Sequence, residues 1–126
     1  MKLTDLNPHW VSSGGDGITD KDGQPVPRRD RIGVSFDCPC SKCTSQRVGD
    51  EDSDFHLRHF ISFTNPPDGG PSFESGGHPT WNRIGDTFET LVLQPSILSD
   101  TAKGGCGWHG YIGGPGGDKP GEVVTL

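Results

Sequence analysis

A chain of 126 residues that is only 29% hydrophobic, with 20 glycines and 11 prolines, has too many helix breakers and too little apolar surface for a helical bundle. Its formal charge of −6 and pI near 5.1 argue against a nucleic-acid partner, whose phosphates it would repel. No stretch approaches the roughly 20 apolar residues that span a bilayer, and Met1 to Trp10 lacks the apolar centre of a secretory signal, so no membrane partner is expected.

Leu3, Leu6, Trp10 and Val11 predict a short strand or turn packed on the body, with Pro8 preventing a long helix. Residues 12–27 are rich in Gly, Asp and Pro, carry the turn pair Asp22-Gly23, and read as an exposed loop or hairpin tip. Arg31 to Phe36 alternates Ile, Val and Phe with small or polar residues, which predicts a half-buried strand running into Cys38. Thr44 to Asp54 reads as a solvated acidic loop; it lacks the ligand pattern and closing Glu of a calcium loop.

Phe55 to Phe63 gives the cleanest alternation, with Leu57, His59, Ile61 and Phe63 on one face and His56, Arg58 and Phe60 on the other. That strand must stop at Asn65 to Pro71. Ser72 to Gly85 reads as irregular, Thr87 to Leu93 as a further strand, and Ser99 to Gly105 as an approach segment. Trp108 to Ile112 and Glu122 to Leu126 predict a terminal hairpin, with 113–121 as its long exposed loop. The expected architecture is one domain over 1–126, mostly β: a small antiparallel sheet with long Gly/Pro-rich loops, whose thin core calls for an additional staple.

All four cysteines lie in two short segments, Cys38-Pro39-Cys40-Ser41-Lys42-Cys43 and Cys106-Gly107-Trp108-His109. The spacings C-x-x-C and C-x-x-H let paired side chains converge on one cation, and tetrahedral Zn²⁺ needs two such pairs. Zinc is favoured over iron or disulfides, because the first three cysteines are crowded and nothing signals secretion. Cys38, Cys40, Cys43, Cys106 and His109 are thus five candidates for four places. Spacing prefers Cys40, Cys43, Cys106 and His109, with Cys38 able to replace Cys40. Four protein ligands make a structural zinc, since a catalytic one keeps a position open for water. Gly107 frees the chain to turn around the ion, and Trp108 either shields the site or packs in the core.

Other polar residues carry less. His56 and His59 would point to opposite faces of a strand, His9 and His78 read as surface or packing residues, and Glu89 has no evident partner. There is no nucleophile elbow, phosphate loop or metalloprotease helix. Pro39 to Cys43 matches the P-C-x-x-C of zinc deaminases, but the preceding H-x-E or C-x-E is missing, as are the expected helices.

Four stretches resemble a known family: Arg31 to Pro39, Phe63 to Pro71, Gly85 to Ile97, and Trp108 to Ile112. The family consists of small bacteriophage and prophage proteins sharing a domain of unknown function, some copies of which carry an unsupported ammonia monooxygenase label. The resemblance spans most of the chain after Arg31. It implies a viral origin and no particular activity.

The expectation is therefore a phage-encoded accessory protein with a zinc ion and a non-enzymatic role, binding a phage structural protein or a host protein. It would work in the host cytoplasm or in the virion, as a head or tail component. Docking on a repeated virion lattice would bring homo-oligomerisation with it. One alternative is a small metal-dependent hydrolase in which His56, His59, Asp86 or Glu89 supplies the base. Another is an inhibitor of a host defence complex.

Overall fold

The computed structural model describes residues 1–40, 43, 58–67, 79–99, 101–103 and 106–126. Within them the chain is mostly β and its named strands pair antiparallel, as the composition and alternation lead one to expect. The strands are β1 (His9–Ser13), β2 (Arg29–Asp37), β3 (Arg58–Ser62), β4 (Asn82–Ile84), β5 (Val92–Gln94), β6 (Ile97–Leu98), β7 (His109–Ile112) and β8 (Val123–Thr125). They form three small sheets, ordered β1-β2-β3, β4-β5 and β6-β7-β8.

β2 is the spine. It pairs with β1 on one side (Trp10 opposite Val34) and β3 on the other (Val34 opposite Ile61). Period-2 alternation sends Val34, Phe36 and Ile61 inward, while Phe60 stands 71% exposed on the outer face. Between Gly33 and Arg29 three residues of β2 face one of β1, Ser12, and Arg31 in this bulge has a left-handed φ of 54°. The sheet continues into the next one through Phe63 and Trp81: the Trp81 N–H donates to the Ser62 carbonyl (2.9 Å), and the Thr64 N–H to the Trp81 carbonyl (2.8 Å).

The predicted terminal hairpin is β7-β8, with Tyr111 opposite Val124. The tip of its loop is exposed but the ends are not: Gly113, Gly114 and Gly121 are buried. The Lys119 N–H donates to the Gly113 carbonyl (3.0 Å), and the Gln94 side-chain amide to the Gly114 carbonyl (3.2 Å). The N-terminus docks on the same sheet: a 3₁₀ turn over Leu3–Leu6 buries both leucines, and the Leu3 N–H donates to the Gly121 carbonyl (2.8 Å).

One predicted strand is shorter than its pattern. Thr87 to Thr90 form a turn, and β5 starts only at Val92. The Thr90 N–H bonds the Thr87 carbonyl (3.2 Å), and the two hydroxyls lie 2.7 Å apart. Threonine hydroxyls offer the backbone local partners that compete with a ladder. Phe88 stacks on Trp10 (centroids 4.5 Å apart) instead of extending a sheet. The expected acidic loop at Thr44 to Asp54, His56, His78 and Gly104-Gly105 lie outside the described residues.

The core gathers Leu3, Leu6, Val34, Phe36, Ile61, Phe63, Leu91, Leu93, Ile97, Trp108, Ile112 and Val123, and Cys38 and Cys43 belong to it. Among the described residues no helix is long and apolar enough to cross a membrane.

Candidate metal centre

The end of β2 and the approach to β7 deliver the cysteines to one place. β2 runs to Asp37, so Cys38 follows directly from the central strand and is 1% exposed. The strand end is pinned by Arg58, whose guanidinium pairs with Asp37 (2.7 Å) and donates to the Ser35 hydroxyl (3.0 Å) and the Asn7 carbonyl (2.9 Å). Asp37 and Arg58 face each other across β2 and β3, so this ion pair holds the register that aims Cys38.

The second segment is held by Ser99. Its N–H donates to the Trp108 carbonyl (2.8 Å), its carbonyl accepts from the Gly107 N–H (2.8 Å), and its hydroxyl accepts from the Cys106 N–H (3.2 Å). Gly107 has φ +88°, a conformation that favours glycine, and an added Cβ would come within 3.2 Å of the Thr101 methyl. Trp108 belongs to the core: it is 4% exposed, meets Phe36 edge-on at 6.4 Å, and donates its indole N–H to the Thr125 hydroxyl (3.1 Å). The Phe36–Trp108 contact thus packs the residue two before Cys38 against the residue two after Cys106.

The Sγ atoms of Cys38, Cys40, Cys43 and Cys106 all lie within 4.8 Å of one another. Cys38 and Cys106 are 3.6 Å apart, although 68 residues separate them in sequence. A Zn–S bond of about 2.3 Å gives tetrahedral S···S edges of about 3.8 Å, so the cluster has the dimensions of a four-thiolate cage. The Cys43 N–H donates to Cys40 Sγ (3.3 Å), a bond that orients the sulfur and offsets negative charge on it. All four cysteines are free of disulfides; Cys38 and Cys43 are buried, Cys40 and Cys106 half-buried.

The thiols respond to one another as a group. Burial drives Cys38 strongly upward, and Cys43 is pushed up to about 12, again chiefly by burial. Cys106 moves the other way, to about 7: burial would raise it, but hydrogen bonds from the Trp108 backbone and the Ser99 side chain stabilise its thiolate and win, with Cys38 and Cys43 adding to them. Cys106 thus gives up its proton more readily than Cys38 or Cys43. A divalent ion supplies the charge that lets the buried thiols ionise as well.

Of the five candidate ligands the fold brings four together, and the outsider is His109. Its Nε2 lies 2.9 Å from the Ser96 hydroxyl, and it takes no part in the group of converging donors. The converging set thus holds Cys38 in place of His109, the fourth member of the set that spacing preferred. Pairing of β6 with β7 sets His109 opposite Leu98, inside the strand, so only Cys106 of the C-x-x-H segment turns toward the first segment.

The alternative bases are scattered. His59 lies among Phe36 and Trp108 (centroids 5.3 and 5.1 Å), its Nε2 buried without a hydrogen-bond partner among the described residues. Asp86 is exposed, and its carbonyl accepts from Arg31 (3.2 Å). Glu89 is exposed beside a cleft of about 190 Å³ lined by Lys2, Thr4, Pro120, Gly121 and Glu122. None of the three joins the cysteine group. Compared with known proteins, the chain matches no family model, no curated protein and no solved structure.

Proposed function

We propose that the four cysteines bind one Zn²⁺ as a structural ion, and that the protein is a non-enzymatic, protein-binding module. The observation that carries this reading is the convergence of four sulfurs from two remote segments. Soft thiolates in a tetrahedral set suit zinc, and four of them fill its coordination sphere. The hydrolase alternative needs an open position and a base beside it, and neither His59, Asp86 nor Glu89 stands there.

The resemblance of Arg31 to Pro39 and the three later stretches to phage proteins supports a viral accessory role, acting on a phage structural protein or a host protein. The exposed Phe60 on the outer face of the first sheet suits protein contact. Elemental analysis and X-ray absorption of the purified protein test the metal: one zinc per chain with four sulfur donors is expected. A metal-free protein, or a sphere containing an exchangeable water, overturns it. Detection of the protein in purified phage particles would assign it to the virion. Consistent absence would shift the reading to an intracellular factor such as a host-defence inhibitor.

A further inference from the structure

The four cysteines differ in burial. Cys38 and Cys43 are 1% and 2% exposed, whereas Cys40 and Cys106 are half-buried, so a small reagent in solvent reaches the latter two. Cys106 also has a buried sulfur at 3.6 Å, that of Cys38. A disulfide needs about 2.05 Å between sulfurs, so these two have only a short distance to close.

We propose that Cys106 is a hydroperoxide-reactive modification site whose oxidation closes onto Cys38, replacing the metal clasp with a covalent one between the same two segments. The inference takes its metal-bound starting state from the zinc reading above. The Cys106 thiolate attacks a peroxide oxygen and the O–O bond breaks, giving a sulfenic acid and one hydroxide (or alkoxide). The Cys38 thiolate then attacks the sulfenic sulfur, forms the S–S bond and expels a second hydroxide. Two thiolates have lost two electrons, and the hydroperoxide has gained them.

The ion keeps only Cys40 and Cys43, which cannot complete its sphere, and it leaves. A second hydroperoxide oxidises that C-x-x-C pair in the same manner. The remote pair is expected first because the half-buried Cys106 has the Cys38 sulfur 3.6 Å away. Loss of metal by oxidation therefore leaves the remote segments tied, while loss by chelation under reducing conditions frees them.

The test treats the purified, reduced protein with hydrogen peroxide and follows two readouts in time: released zinc with a chromogenic chelator, and linked peptides by non-reducing mass spectrometry. The Cys38–Cys106 peptide is expected to appear first and in step with zinc release. Cys38→Ser should abolish it and let Cys106 accumulate as a sulfenic acid trapped by dimedone. A Cys40–Cys43 peptide that forms first, or Cys106 reaching the sulfinic acid while Cys38 stays a free thiol, overturns the proposal. Should Cys38→Ser not fold, the order of linked peptides in the parent decides alone. A protein that contains no metal when purified sinks the zinc reading, and the order of peptides still decides the disulfide.

Discussion

At His59 the interior holds an imidazole nitrogen with no hydrogen-bond partner among the described residues. Burial lowers its pKa to about 4, because the cation would lose its hydration between Phe36 and Trp108. The unfolded chain, with a pKa near 6.5, binds more protons between those two values. Stability from this group is therefore intact above about pH 6.5 and falls as the pH drops toward 4, by up to about 3 kcal/mol. His59→Phe should flatten that dependence, measured as the shift in urea midpoint between neutral and mildly acidic buffer relative to the parent. A parallel shift in both proteins would place the acid sensitivity elsewhere. The two disputed ligands are separated just as directly. Cys38→Ser should lose stoichiometric metal and lower the melting temperature sharply, whereas His109→Ala should keep the metal and cost only about 1 kcal/mol for the Ser96 bond. Metal content together with thermal denaturation reads both.

At the level of elements, the alternation of Arg31 to Phe36 and of the terminal hairpin was readable as strand, but β2 is buried on both faces from Ile32 to Phe36 and not half-buried as expected. Thr87 to Leu93 shows the same pattern yet becomes half turn, since the bonds between Thr87 and Thr90 leave no mark on hydrophobic periodicity. The site divides similarly. Spacing named the five candidates, but choosing Cys38 over His109 depends on the register of β6 against β7, a tertiary fact that spacing does not encode. The same strand gives a test. Gly110 lies opposite both Ile97 and Thr125, and a Cβ there would fall 2.5 Å from the Trp108 ring and 2.6 Å from the Val124 carbonyl. Gly110→Ala should destabilise by about 2 kcal/mol or more, because backbone and indole must both shift. Denaturant titration checks this, and an unchanged midpoint would mean that the strand yields freely.

For the whole molecule, a cluster of four cysteines stands where a larger hydrophobic core would otherwise be. Three small sheets share a core in which two of the buried members are themselves cysteines. Ordering a 68-residue separation costs about 4 kcal/mol in loop closure alone, comparable to a large part of a small domain's net stability. The proposed zinc would offset that cost, so a strong chelator with reductant should abolish the cooperative thermal transition, and added zinc should restore it. Retention of the same melting temperature in chelator would show that the sheets hold without the ion.

The distance between Cys38 and Cys106 also sets an order of events during synthesis. Three thiols leave the ribosome almost together, and the fourth follows only after most of β3 to β6 has been made. Until then a captured ion is held by an incomplete set of ligands and can exchange. If the four cysteines hold a zinc ion as proposed, the nascent chain commits to it late, when Cys106 arrives.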